Sequence, residues 1–340
     1  MELRHKAAWD EYVDNHTEGS FFHLTGWQQV IKNVFNHKPH YLLALDKDTD
    51  KIYGVLPLFE QKSHFFGHAL ISTPFCVYGG AIADNDAVRQ LLEQKAFELG
   101  CQLNVDYVEL RDRSQRKVVK PWIAHCHHSI FFTEIGENKE DILTKVRRKQ
   151  RAVIRHALKN QLNFEIKDNV DECYSLYARS VHALGTPVFN QRLFSELKSV
   201  FAERCETLIV RDNQGKAVSS VLSFYYKDTV LPYYGGGIDE ARELKSHDFM
   251  YYQLMCMAKE RGYTQFDFGR SKKNSGAYEY KKHWGMNEQE LNYRVALINA
   301  KKLPNLSPNN PRYRVFIQLW KKIPLSITRQ LGPELSKYLG

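Results

Sequence analysis

No stretch of this 340-residue chain approaches the run of about 18 consecutive apolar residues that a membrane-spanning helix needs. The opening Met1-Glu2-Leu3-Arg4-His5-Lys6 lacks the apolar core of a secretory signal. The six cysteines, at 76, 101, 126, 173, 205 and 256, form no Cys-x-x-Cys pair and no dense framework. That spacing fits free thiols in a reducing cytoplasm better than disulfides or structural zinc. Gly-x-Ser-x-Gly, a Walker loop and a Rossmann fingerprint are all missing, which argues against hydrolase, NTPase and dehydrogenase chemistry. His125-Cys126-His127-His128 offers metal-type ligands, but they are contiguous on an expected strand and lack the second group a tetrahedral site requires. The expectation is a cytoplasmic protein with no metal and no tightly bound cofactor.

What is present is core-forming material. Hydrophobic residues make up 43% of the chain and aromatics 13%, with 19 Tyr and 19 Phe, so the chain can bury a substantial interior and is not disordered. Its length suggests two domains. The net charge of +9 favours anionic partners: phosphorylated substrates, RNA or a lipid surface.

That charge is concentrated. Lys145-Val146-Arg147-Arg148-Lys149-Gln150-Arg151, continuing to Arg155 and Lys159, carries seven basic residues and no acid, with Val146, Val153, Ile154, Ala157 and Leu158 as a partial helical stripe. It reads as a phosphate or nucleic-acid contact, or as a solvated helix face joining two domains. From Arg312 to Gly340, six basic residues stand against Glu334 alone. Val315, Phe316, Leu319, Trp320, Ile323, Leu325, Ile327 and Leu331 interleave with them, as in an interfacial helix on an anionic membrane or a segment packed on the body. Pro311, Pro324 and Pro333 are expected to cut this tail into short pieces.

The chain also repeats itself. Strand-like Tyr41–Leu45, an Asp-rich turn, strand-like Gly54–Phe59, Tyr78-Gly79-Gly80, a helix from Ala87 to Leu99 closed by Gly100, and strand-like Tyr107–Arg111 follow in order. The order returns as Thr207–Val210, the turn Asp212–Gly215, Val218–Tyr226, Tyr234-Gly235-Gly236, a helix from about Asp248 closed by Gly262, and Phe266–Arg270. The Tyr-Gly-Gly triplets lie 156 residues apart, and Glu109 lies 158 residues before Asp267. Each unit reads as strand, hairpin strand, tight glycine turn, helix, strand, which implies an α/β (mixed α+β) fold with helices on a mixed, mostly antiparallel sheet. Gly235-Gly236-Gly237 reads as a bulge or turn.

Reactive side chains are densest between Asp267 and Gly285. In a strand, Phe266 and Phe268 share one face and Asp267 projects from the other, either into a site or onto loop amides. Arg270 and lysines 272, 273, 281 and 282 could grip phosphate, and in extended chain only one of Lys281 and Lys282 can enter a shared cleft.

Asp267-Phe268-Gly269-Arg270, followed by Tyr280-Lys281-Lys282-His283-Trp284-Gly285, resembles the FemAB-type aminoacyltransferases and related acyltransferases of the GNAT superfamily. Phe21–Trp27, Tyr78-Gly79-Gly80 and Arg147-Arg148 are similar too, and Asn310–Tyr313 with Gly332-Pro333 resembles a subgroup associated with exopolysaccharide and PEP-CTERM systems. The resemblance implies tandem GNAT-like domains, 1–140 and 141–300, with 301–340 a basic tail. It implies transfer of an acyl or aminoacyl group to an amine of a cell-envelope or exopolysaccharide precursor at the cytoplasmic face of the membrane. Lys281 would stabilise the oxyanion, Asp267 would position or deprotonate the amine, and Tyr234 or Tyr278 would hydrogen-bond the reacting groups. Arg270, Lys272, Tyr280, Trp284 and Tyr78 would bind substrate. The donor would be aminoacyl-tRNA or acyl-CoA. Asp248, an acid at the start of the helix where a CoA pyrophosphate would sit, weighs against acetyl-CoA and makes an aminoacyl-tRNA or another carrier competitive. The 160–207 stretch leaves no room for the long helical hairpin of the peptidoglycan branch. Other readings of the same residues are a non-catalytic scaffold for anionic polymer or membrane, and a CoA-dependent N-acetyltransferase acting on a small amine.

Overall fold

Pro57 sets the layout of the first third of the chain. It has no N–H to give a ladder, so the expected strand Gly54–Phe59 is two strands, Ile52–Leu56 and Phe59–Ser63, in different sheets. The structure, a computed structural model, describes residues 5–63, 66–125, 127–302 and 311–338, the side chains of 311–314 excepted. Residues 1–4 of the opening, Cys126, Asn310 and the side chains of Arg312, Tyr313 and Arg314 therefore lie outside the described residues.

The chain forms two units. The first comprises Met1–His127, Glu290–Leu306 and Lys337–Gly340, and the second His128–Gln289 and Ser307–Ser336. The expected boundaries at 140 and 300 are displaced because Asn292–Leu297 pairs antiparallel with both Tyr107–Asp112 and Trp122–His125, which makes it a central strand of the first unit. That unit holds two sheets. One runs in the order Lys38–Pro39, Phe59–Ser63, Gly67–Ile71, Tyr107–Asp112, Asn292–Leu297, Trp122–His125; the other is Leu42–Leu45, Ile52–Leu56, Ile82–Ala83. The second unit has one seven-stranded sheet, in the order Asn163–Lys167, Cys205–Arg211, Ala217–Tyr226, Thr229–Gly237, Gln265–Lys272, His128–Glu134, Asn287–Glu290.

The duplication has a structural counterpart. In each unit one strand passes through a helix to a parallel neighbour. Gly67–Ile71 leads through Asp86–Gln102 to Tyr107–Asp112, and Thr229–Gly237 leads through Ser246–Glu260 to Gln265–Lys272. A parallel pair requires such a crossover. In the second unit the parallel register is confined to Thr229↔Gln265 and Val230↔Phe266. Ser246–Glu260 buries Phe249, Met250, Tyr252, Leu254, Met255 and Ala258, so it is apolar nearly all round, as a helix inside a core must be.

Two glycine readings are corrected by packing. Gly100 lies inside the helix Asp86–Gln102, where a Cβ would meet Val108 Cγ2 at 2.5 Å and Ile298 Cδ1 at 2.7 Å; it permits close approach and does not end the helix. Tyr234-Gly235-Gly236 is not a turn but strand, paired with Leu222, Val221 and Ser220, and the register shift of this ladder falls just before it, at Tyr233. A Cβ on Gly236 would lie 2.5 Å from Tyr177 Cα and 2.6 Å from Leu176 O, so the helix Asp171–Leu184 rests directly on this backbone. That helix and Gln191–Phe201 fill the 160–207 stretch, which thus does hold a helix pair, laid against the sheet.

The tail forms two helices of the second unit, Pro311–Trp320 and Leu325–Ser336. Pro333 does not cut the second of them. Thr328, Gly332 and Ser336 are buried, and Gly332 lies against the Val188 backbone, so packing sustains the helix across the missing N–H.

Gly236→Ala is expected to destabilise the chain by about 1–3 kcal/mol, because backbone rather than a flexible side chain must yield. Urea unfolding should show this shift while Gly276→Ala, whose added Cβ meets nothing within 4 Å, leaves the midpoint unchanged.

Candidate active site

Along Gln265–Lys272, the rings of Phe266 and Phe268 enter the core and Asp267, only 4% exposed, lies between them. Against His128–Glu134 the register runs Phe132↔Asp267 and then Ile130↔Arg270, one residue too many on the Asp267 side. This is a β-bulge. Gly269 takes φ +69° there, which a residue with a Cβ adopts only at a cost. The Asp267 carboxylate accepts the Gly269 N–H at 2.7 Å and so closes the bulge.

Phe268 and Gly269 have no partner in that register, and their carbonyls need donors. Lys281 supplies them. Its Nζ donates to Phe268 O at 2.5 Å, Gly269 O at 3.1 Å and Arg270 O at 3.1 Å. Three acceptors match the three hydrogens of an ammonium. Burial pulls Lys281 down to about 8, opposed by the charge of Asp267 and reinforced by that of Arg270.

Lys281 and Lys282 are not in extended chain. They lie on the helix Gly276–Trp284, whose start is capped by Ser275 Oγ accepting the Tyr278 N–H at 3.2 Å and whose end is Gly285 at φ +80°. Serine and glycine at those two positions are helix boundary signals that the sequence reading passed over. Lys282 is exposed, with its Nζ 5.7 Å from the centre of the Tyr278 ring.

The remaining expected residues divide. Tyr280 donates from its hydroxyl to Asp248 at 2.9 Å, and Gln150 also donates to that carboxylate. The acid at the start of Ser246–Glu260 is therefore buried under two side chains, and burial pushes it above its usual range. Trp284, expected to bind substrate, is 1% exposed and packs edge-on to Tyr251 and Phe268, so it is core. Tyr278 rests on Phe131 and donates to Glu288 at 2.9 Å, which also accepts from Ser129. Tyr234 packs against Tyr177, Phe189 and Phe194. Arg270 and Lys272 are half-buried, in register with Ile130 and His128. The structure thus gathers Asp267, Arg270 and Lys281 around one bulge.

The basic run is broken at Val146 between the helices Lys139–Lys145 and Arg148–Ala157. Ile154 and Ala157 face the core, while Arg148, Arg151, Arg155, His156 and Lys159 line a surface groove of about 470 Å³.

Tyr78 belongs to a different cavity, wholly within the first unit. It holds about 210 Å³ and is lined by Ser20, His23, Tyr78, Asp112, Arg113 and Arg116 among others. Asp112 Oδ2 accepts from Arg294 at 2.7 Å, while Asp112 Oδ1 and Arg116 Nε are buried without a hydrogen-bond partner. Burial raises Asp112 to about 6 against the pull of Arg294, and lowers His23 to about 4. Sequence reasoning missed this pocket, although Arg111-Asp112-Arg113 at the end of a strand was a usable signal. Among the described residues, no group of three His, Cys, Asp or Glu side chains is placed to hold a metal, and no helix is long and apolar enough to cross a membrane.

Comparison with known proteins follows this geometry. Residues 144–282 match the model of an acetyltransferase (GNAT) domain. The fold is similar to that of FemX (TM-score 0.68, 16% identity, 94% of this chain and 99% of that one). It is also similar to the C-terminal DUF2156 domain of a protein from Agrobacterium fabrum assigned as a lysylphosphatidylglycerol synthetase (TM-score 0.56, 10% identity, covering 86% and 91%). A third likeness is L-PGS from Bacillus licheniformis (TM-score 0.52, 11% identity, covering 90% and 97%). No curated protein sequence matches the chain. The bulge with Asp267 and the helix position of Lys281 fall within the matched residues, so the second unit carries the stretch that is similar to an acetyltransferase (GNAT) domain, in a chain whose fold is similar to that of FemX.

Proposed function

We propose that this chain is an acyl- or aminoacyl-transferase that forms an amide on an amine of a cell-envelope or exopolysaccharide precursor. The observation that carries the reading is the buried Lys281 ammonium on the Asp267 bulge. The amine nitrogen attacks the donor carbonyl carbon, a C–N bond forms, and the bond to the leaving oxygen or sulfur breaks. Asp267 receives the proton that the nitrogen sheds and passes it on to the leaving oxygen or sulfur, which returns the carboxylate to its starting state. Lys281 stabilises the oxyanion of the tetrahedral intermediate, exchanging one of its two longer carbonyl bonds for it. Arg270 and Lys272 hold anionic parts of the substrates.

The groove lined by Arg148, Arg151, Arg155 and Lys159 suits a polyanion, which supports aminoacyl-tRNA over acyl-CoA as donor. Two of the similar folds belong to proteins named for lysylphosphatidylglycerol synthesis, which supports an envelope acceptor. The cavity of the first unit, with its unpartnered Asp112 oxygen, suits a polar amine-bearing ligand. One observation favours a second reading: carbonyls engage all three Lys281 donors, as they would if the lysine only clamped the bulge of a binding protein.

A donor screen with charged tRNA and acyl-CoA, followed by mass spectrometry of amine-bearing envelope precursors, tests the proposal. Lys281→Met is expected to lower kcat by roughly 100- to 1,000-fold while the protein remains folded by circular dichroism. No transfer by the wild type from either donor would leave the clamp reading standing.

The pH profile gives the role of the lysine a sign. An oxyanion partner must be charged, so kcat should fall as pH rises through about 8. A lysine acting as a base would give a rise over the same range.

A further inference from the structure

The tail helices present apolar residues on the side that a soluble body would make polar. In Pro311–Trp320, Trp320 is buried and Ile317 lies against Gly185, whereas Val315 and Leu319, one turn apart, are 58% and 59% exposed. In Leu325–Ser336, Thr328, Gly332 and Ser336 are buried, whereas Ile327 and Leu331, again one turn apart, are 45% and 52% exposed. Each helix is therefore held by one face and shows an aliphatic pair on another. Lys321 and Lys322, both exposed, lie in the turn between them. From Pro311 to Pro333 the sequence has no acid at all.

We infer that this face is a docking surface for an anionic lipid bilayer. The inward contacts are already made by Trp320 on one helix, by Arg329 over the Tyr174 ring at 4.9 Å, and by His182 Nε2 with Ile323 O at 2.9 Å. The outward residues are thus not needed to hold the tail. Protein interfaces favour aromatics and arginine at their centre and are poor in lysine. The exposed large hydrophobic residues here are aliphatic, and the exposed charges in the turn between the helices are lysines, with Glu334, one turn past Leu331, the one acid of the tail. Lysine beside aliphatic side chains is the pairing that an anionic headgroup layer over acyl chains accepts. The bilayer would take the four aliphatic side chains at the headgroup boundary while the two ammonium groups meet lipid phosphates. Among the described residues no helix is long and apolar enough to cross, so the contact is peripheral and salt-sensitive.

This inference does not depend on the transfer chemistry, and its readout uses none. The full chain is mixed with phosphatidylcholine vesicles with or without phosphatidylglycerol and sedimented. The wild type is expected to co-sediment with the anionic vesicles only. Lys321→Glu/Lys322→Glu and, separately, Leu319→Glu/Leu331→Glu should each weaken binding by roughly tenfold or more. Leu91→Glu, at an equally exposed leucine of the first unit, should bind as the wild type does. Absence of wild-type binding overturns the proposal, as does equal loss in the Leu91 variant. So does retention of binding by Leu319→Glu/Leu331→Glu, which would mean that net charge alone attracts the vesicles. Sedimentation velocity without lipid covers the remaining occupant: a dimer dissolved by the tail variants would make the stripe a contact between copies, not a membrane surface.

Discussion

A lysine ammonium held by three main-chain carbonyls organises the second unit. The extra residue in Gln265–Lys272 strands the carbonyls of Phe268 and Gly269, and Lys281 reaches them from a helix twelve or so residues further on. Removing a charge from water is costly, and here the carbonyl dipoles and the Asp267 carboxylate offset that cost. The arrangement is reciprocal. The bulge gives the ammonium its acceptors, and the ammonium gives the bulge carbonyls their donors. Phe266 and Phe268 remain inside, so the acid is oriented by packing on two sides and by the Gly269 amide on a third.

Much of this was legible from residue order. Alternation around Asp267 placed the two phenylalanines on one face, and the turn at Asp212–Gly215 and the helix closing near Gly262 left ordinary signatures. What escaped had physical reasons. Strand geometry does not hold for the Lys281-Lys282 pair because Ser275 and Gly285 bound a helix there, and helical spacing sends the two ammonium groups to different surroundings. Trp284 and Gly236 show the other failure. An aromatic beside a reactive lysine, or a glycine run after a strand, has the same local pattern whether it meets a ligand or a neighbouring helix, and only tertiary contact decides. The cavity around Asp112 combines residues from distant parts of the first unit, a proximity that no local window contains.

The two units share a plan and differ in chemistry. Both run through a helix into a parallel strand that carries an acid bonded to the residue two positions on. In the first unit Glu109 meets the Arg111 guanidinium at 2.8 Å, and in the second Asp267 meets a glycine amide. An ion pair sets a full positive charge against the carboxylate, whereas an amide is a neutral donor. Glu93 and Asp112 of the first unit are ion-paired as well, both to Arg294.

The path of Asn292–Leu297 limits how such a chain can be divided. After the helix that bears Lys281, the backbone leaves the second unit and lies as an inner strand between Tyr107–Asp112 and Trp122–His125 before returning as the tail helices. Neither unit is therefore one uninterrupted stretch of polypeptide. A gene fragment ending near residue 140 would lack a middle strand of its sheet, leaving two exposed edges where two ladders belong. Recombination that exchanges one unit between relatives must carry three separate pieces of coding sequence for the first unit or two for the second, so the two units are bound to be inherited together.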